Sequence, residues 1–267
     1  MTEEQYTLGY GEGAMQWMTS RTANKFGAFL LPRLKPGMRM LDCGCGPGTL
    51  TLGFAAYVAP GEIIGIDQEG SQFAASAAQA AQDGVSNLSF VTGNIYGLPY
   101  ADASFDVCFA SAVLGSVAEP EKVVAEMARL LKPGGILALK EFDHGGDIIY
   151  PQTPLLERST ELYHRLRAHN GHEPIGGRRL RGLLHDAGCD VESLHGFFDQ
   201  HYSAEELRAH VARNNLLIDE MLSKQYIKLG WCDAEEVKKA ARGWEEFAEN
   251  PAAVWLSAWF EAIGIKR

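Results

Sequence analysis

The chain has 267 residues, 46% of them hydrophobic, and a formal net charge of −10. That is enough for one large domain with a sizeable core, while the acidic balance excludes a protein that grips nucleic acid through a broad basic surface. Five scattered cysteines with no C-x-x-C pair exclude a disulfide scaffold and a zinc ribbon, and they fit a reducing compartment. No apolar run approaches membrane-spanning length, and the first residues, Met1 to Gln5, lack the regions of a signal peptide. A cytoplasmic protein is therefore expected, monomer or homodimer, with no membrane and no nucleic-acid partner.

Residues 1–20 form a polar leader with glycines and the side chains Tyr6, Tyr10, Met15, Trp17 and Met18. Such a leader either closes over a ligand pocket or lies on the surface. Ala23, Phe26, Phe29 and Leu30 follow helical spacing, with Thr22 as the N-cap and Pro32 and Pro36-Gly37 as the stop. The apolar run from Met38 to Leu41 reads as a strand. It feeds Asp42-Cys43-Gly44-Cys45-Gly46-Pro47-Gly48-Thr49, after which Leu50 to Ala56 starts a helix. Strand, glycine-rich turn and helix together make a ligand cradle, because glycine lets the backbone approach closely and the helix start offers free N–H groups. A dinucleotide cradle wants a third glycine where this chain has Thr49. Asp42 before the turn would repel a pyrophosphate and suits an ammonium group.

Gly61 to Asp67 reads as a buried strand ending in an acid 23 positions after Gly44, where nucleoside-binding sheets hold ribose hydroxyls. A helix from Ser71 to Gln82, stopped by Gly84, leads to a third strand, Leu88 to Val91. A fourth strand, Asp106 to Ala110, is followed by a helix from Glu121 to Leu131, a tight turn at Lys132-Pro133-Gly134-Gly135 and a fifth strand, Ile136 to Glu141. Strands alternating with helices from residue 22 to residue 142 predict an α/β fold with a doubly wound parallel sheet. Beyond it come a helix from Leu155 to His169, a short helix with Leu180, Leu183 and Leu184, and a sixth strand, Asp190 to Phe198. Two charged helices, Ser203 to Leu229 and Asp233 to Glu249, precede a last strand in which Val254, Leu256, Ala258 and Phe260 alternate. Trp255, Trp259 and Ile263 lie four apart, so a helix is the rival reading there.

The stretch from Asp42 to Gly48 resembles motif I of class I S-adenosylmethionine-dependent methyltransferases. Gly93-Asn94-Ile95-Tyr96-Gly97-Leu98-Pro99-Tyr100, with Asp102, Ser104, Phe105 and Asp106 after it, resembles a segment of the ubiquinone- and menaquinone-biosynthesis methyltransferases. Leu131-Lys132-Pro133-Gly134-Gly135 is a further likeness. The resemblance covers about residues 20–200. It implies a seven-stranded, mostly parallel, Rossmann-like sheet in a single domain (1–267), with a cofactor core (20–200), a helical cap insertion (203–249) and a last strand (252–265). It also implies S-adenosylmethionine as cofactor. Asp42, Gly44, Cys45, Gly46 and Gly48 would face its methionine moiety, Asp67 and Gln68 its ribose, and Asn94 and Ile95 its adenine, with Arg21 and Ser111 completing the site. The family's adenine-binding acid is Asn94 here, which keeps an acceptor oxygen but not the charge.

Transfer from a sulfonium asks the protein mainly to align a nucleophile behind the methyl group and exclude water. Glu141, Asp143 and His144 cluster past the fifth strand, on the side where such a sheet opens its pocket. His144, ionising near neutral pH, is the candidate catalytic base. Tyr10, Trp17, Glu141, His144 and Met221 are the candidate substrate-pocket residues, for an aromatic or apolar small molecule methylated on oxygen, nitrogen, carbon or sulfur. His164, His169 and His172 are not spaced for a metal, and none is expected. Two other readings stay open: a nicotinamide oxidoreductase on a similar sheet, against which Asp42 and Thr49 speak, and a non-catalytic S-adenosylmethionine binder.

Overall fold

Strand β1 (Met40–Cys43) is buried at every position. It pairs in parallel on both sides, with β2 (Ile63–Asp67) and β4 (Phe105–Ser111). The parallel part is completed by β3 (Leu88–Thr92) beside β2 and β5 (Leu131–Phe142) beside β4. The short strand β6 (Ile148–Tyr150) and the long strands β7 (Cys189–His201) and β8 (Val254–Lys266) finish the sheet. β8 runs antiparallel to β5 and carries β7 on its other side. The computed structural model describes residues 6–267; residues 1–5 of the leader lie outside the described residues.

The helices in chain order are α1 (Glu12–Thr19), α2 (Ala23–Phe26), α3 (Thr49–Val58), α4 (Ala74–Gln82), α5 (Pro120–Leu130), α6 (Pro154–His169), α7 (Leu180–Asp186), α8 (Ala204–Leu217), α9 (Ser223–Lys228) and α10 (Ala234–Ala248). Successive strand residues face opposite ways and so build two cores. Leu41, Cys43, Ile64 and Ile66 share a cluster with Val123 and Met127 of α5 and Leu183 and Leu184 of α7. Met40, Ile63, Val107 and Phe109 share another with Phe54 and Val58 of α3. Helices on both faces make the sheet doubly wound, in the arrangement the element order predicts. Each such buried side chain contributes roughly 1.5–3 kcal/mol.

Four features differ from the sequence reading. Among the described residues the sheet has eight strands, not seven. β8 pairs with β5 only from Trp259 onward, and the backbone groups of Val254 to Leu256 on that side find β6 instead. Three residues are too few to show an alternating pattern. The leader contains a regular helix, α1, which its polar composition does not announce. The helix expected over residues 23–30 stops at Phe26 with Gly27 as its C-cap, where a Cβ would strike the Phe54 ring, and a 3-10 turn follows at Leu31–Arg33. The long helix from residue 203 is interrupted by a π-helical segment, Ile218–Leu222, between α8 and α9.

A third core lies among α1, α6, α8, α9 and α10, with Leu156, Leu166, Leu207, Val211, Trp244 and Phe247 buried in it. Both capping-box starts are in this layer, at Ser203 with Glu206 and at Asp233 with Glu236. Trp244 stacks on Trp255 of β8 at 4.6 Å and donates to Ser159 Oγ at 3.0 Å, so the layer is fastened to the sheet. Among the described residues no helix is long and apolar enough to cross a membrane.

Candidate active site

A cavity of about 940 Å³ opens at the carboxyl ends of β1, β2 and β4. This lies at the upper end of the range for small-molecule sites, about 300–1,000 Å³. Its floor is the glycine turn. Gly44 and Gly46 have φ of +73° and +52°, and a Cβ on Gly44 would come within 2.5 Å of Val113. Only glycine takes both positions without strain. The turn is pinned to β2: Gly44 N–H and Cys45 N–H donate to the Ile66 carbonyl, and Gly46 N–H donates to Asp67 Oδ2 at 2.8 Å. Asp67 Oδ1 accepts from Glu69 N–H at 3.0 Å. Burial still outweighs these bonds and raises its pKa. A carboxylate has about four acceptor positions, so Asp67 retains capacity toward the cavity.

Asp42 is almost fully buried beneath the turn and accepts from Thr51 Oγ1 at 2.7 Å. Burial pushes its pKa up to about 7 against that bond. Arg21 reaches the cavity from the end of the leader, its guanidinium 5.6 Å over the Phe26 ring and 5.4 Å over Trp259. Among the described residues no carboxylate is in hydrogen-bond or ion-pair contact with it, and burial lowers its pKa. Two further cavity groups, Ser111 Oγ and Gln72 Oε1, are buried and have no hydrogen-bond partner among the described residues. Buried polar atoms seldom stay unpartnered, so both point to a ligand.

The cavity brings together Tyr10, Arg21, Asp42, Gly44, Cys45, Gly46, Asp67, Gln68, Asn94, Ile95 and Ser111 from the sequence-predicted set. Gln68 Nε2 donates to Tyr10 Oη at 2.9 Å, tying the leader to the end of β2. Asn94 Oδ1 already accepts from Tyr96 N–H at 2.9 Å. The other predicted residues do not line it. Gly48 stands behind the turn against the Phe90 ring. Trp17 turns to α8, edge-on to His210 at 4.7 Å. Met221, in the π segment, lies under Gly9 of the leader. Glu141 is fully buried, accepting from Gly115 N–H and from Phe142 N–H, both at 3.1 Å.

His144 lies on the 3-10 turn that carries the chain from β5 to β6. Its Nδ1 is 2.8 Å from Asp147, and its ring stacks on Phe142 at 4.6 Å. Clustering past the fifth strand brought it near the site in sequence; the turn carries it off the cavity wall. Residues the sequence reading did not select also line the cavity: Tyr6, Met18, Gln72, Val113, Ser116 and Val117. The two leader residues had a signal in their aromatic and sulfur-bearing composition, whereas Gln72 and Ser116 had none.

A family profile described as a methyltransferase domain matches residues 34–188. An uncharacterized methyltransferase of Schizosaccharomyces pombe is 33% identical over 88% of this chain and 85% of its own length. The chain belongs to the methyltransferase-domain family. A ubiquinone/menaquinone biosynthesis C-methyltransferase of Bdellovibrio bacteriovorus is 35% identical, but over only 40% of this chain and 46% of its own length. The crystal structure of the YcgJ protein from Bacillus subtilis has the same fold, at 21% identity and a TM-score of 0.60, covering 90% of this chain and 97% of that one.

This methyltransferase uses S-adenosylmethionine as its methyl donor, and the family excludes the nicotinamide reading. The residues present fit the group. An unpaired guanidinium and two carboxyls suit an amino-acid zwitterion and a ribose, and the orphaned Ser111 and Gln72 atoms need partners that a ligand brings. Among the described residues no group of three or more His, Cys, Asp and Glu is placed to hold a metal.

Proposed function

We propose that the methyltransferase moves the methyl group of S-adenosylmethionine to a small-molecule acceptor bound in the same cavity, between the glycine turn and the leader. One observation carries this reading: a single cavity has the cradle as one wall and Tyr6, Tyr10 and Met18 of the leader as another. Tyr6 and Tyr10 stack at 5.4 Å and give that wall an aromatic surface, which favours an aromatic or apolar acceptor. Asp67 and Gln68 would hold the ribose hydroxyls, Asn94 and Ile95 the adenine, and Arg21 the carboxylate of the methionine moiety. Asp42 beneath the turn would favour its ammonium.

When bound, the cofactor supplies an electrophilic methyl on a good leaving group. What the chain contributes is alignment and exclusion of water. Tyr6, whose pKa burial pushes up to about 12, stays a phenol at neutral pH and is not a base. Helices α8 to α10 act as the cap insertion, since they bear the leader that closes the cavity. The five cysteines are all unpaired, which supports a cytoplasmic setting.

Calorimetric titration with S-adenosylhomocysteine and, separately, with NAD tests the reading. Saturable binding of the first alone is expected; no binding of the first at millimolar concentration overturns it. Asp67→Ala should weaken S-adenosylhomocysteine by about 1–3 kcal/mol. Affinity within twofold of the native protein would remove the ribose assignment.

A further inference from the structure

The wall of the cavity after β4 contains a hydroxyl whose direction is set by its neighbours. Ser116 lines the cavity, and its Oγ accepts from Arg167 Nη2 at 3.2 Å. A guanidinium has donors only. The Ser116 proton therefore has to go elsewhere, and among the described residues no acceptor takes it. What faces the cavity is a hydroxyl donor polarised by a cation behind it, and bonds chained in this way strengthen one another.

That cation is unusual. Arg167 comes from α6 and is 1% exposed. It donates to Tyr163 Oη at 3.0 Å and to the Gly115 carbonyl, and it lies 4.5 Å over the Phe142 ring. Among the described residues no carboxylate is in ion-pair contact with it, and its Nε has no partner. Glu141, whose charged form Arg167 favours, accepts one backbone N–H on each oxygen and makes no ion pair with the guanidinium. A buried charge is normally paired, and this one has its nearest outlet to the cavity through Ser116.

The hydroxyl is also held in place. Gly115, the residue before it, is gripped at both ends of its peptide unit, N–H by Glu141 and carbonyl by Arg167 and by Glu173 N–H at 3.2 Å. Ser116 N–H closes the 3-10 turn onto the Val113 carbonyl at 2.8 Å. A Cβ on Gly115 would meet Phe142 within 2.5 Å, so the turn has no slack to rotate the serine away.

We propose that Ser116 is a specificity-determining residue of the acceptor subsite, backed by Arg167 as a positioning residue, and that the acceptor carries a carbonyl or carboxylate oxygen that takes the Ser116 proton. The inference rests on the reading of the cavity as the site of both cofactor and acceptor, and it narrows the acceptor from apolar or aromatic to one with such an oxygen.

The test uses the full chain loaded with S-adenosylhomocysteine and three probes of like size: benzoate, acetophenone and ethylbenzene. Their affinities are read by ligand-observed saturation-transfer NMR. In the native protein the two oxygen-bearing probes should bind at least tenfold more tightly than ethylbenzene. Ser116→Ala should bring all three within twofold of one another and leave S-adenosylhomocysteine within twofold of its native affinity. Arg167→Met should weaken benzoate more than acetophenone; if that variant does not fold, Ser116→Ala still decides. The proposal is overturned if the native protein shows no oxygen preference, if the preference survives Ser116→Ala, or if that variant weakens S-adenosylhomocysteine more than twofold, which would assign the hydroxyl to the cofactor. Failure of S-adenosylhomocysteine to bind the native protein would instead remove the reading of the whole cavity.

Discussion

The cavity has two walls of different construction. On the sheet side the wall is backbone, a glycine turn whose N–H groups are spent on the Ile66 carbonyl and the Asp67 carboxylate. On the leader side the wall is held by side chains reaching in from the helical layer. Thr7 Oγ1 lies 2.6 Å from His172 Nδ1 and accepts from Asn170, and Gly13 N–H donates to Glu220 at 2.8 Å. A backbone wall changes only if the sheet changes. A side-chain wall can be rebuilt by substitution, one contact at a time. The same cavity therefore joins a half fixed by backbone to a half held by side chains.

The sharpest way to separate the two is Trp244→Ala. Trp244 is 2% exposed and joins the helical layer to β8. Its loss should cost about 3–5 kcal/mol in urea unfolding. If the walls are independent, the folded variant keeps S-adenosylhomocysteine affinity within a few fold. A loss beyond tenfold would show that the layer shapes the cofactor wall too.

Acidity probes the sheet side. Burial lifts Asp42 from 3.8 to about 7. Between those values the folded protein holds a proton that the unfolded chain has released, so this group's contribution is fully present below about pH 4 and is lost as pH rises through about 7. Asp42→Asn should gain roughly 1–3 kcal/mol over the native protein at pH 8 and nothing at pH 4. Glu141, also raised to about 7 by burial, remains in both proteins and cancels in the difference. Equal gains at the two pH values would refute the buried-acid account.

The smallest effect is expected on the leader side. Glu220→Gln keeps an acceptor for Gly13 N–H but removes the charge, which should cost about 0.5–1.5 kcal/mol of leader docking. Limited proteolysis between residues 6 and 20 should speed up severalfold while the rest of the chain stays resistant. Unchanged cleavage would mean that the contact to Glu220 does not hold the leader.

This difference also explains what could be read from the sequence. The parallel strands and their helices were legible because burial on both faces writes long apolar runs, and because Gly44, Gly46 and Gly48 occupy backbone conformations that other residues rarely take. The acids at the strand ends could be placed for the same reason. The leader wall could not, because Thr7 meets His172 and Gly13 meets Glu220 across 165 and 207 positions of chain, which no local pattern records. His144 illustrates the same limit. Its nearness in sequence to the end of β5 was visible, but the turn that leads it to Asp147 was not. Ser116 carried no signal alone and becomes informative only with Arg167 of α6 behind it.

β8 has a further consequence, for the order of synthesis. It lies between β5 on one side and β7 on the other, yet it follows both in the chain. While the ribosome is making residues 202–253, β5 has one free edge and β7 has no partner strand. Both are long runs of open hydrogen-bonding groups of the kind that recruit other chains. Their partner then arrives in one continuous piece of 13 residues and satisfies β5, β6 and β7 together. The nascent chain is thus exposed longest just before it is safest, and its vulnerability to aggregation is concentrated in that interval rather than spread over the fold.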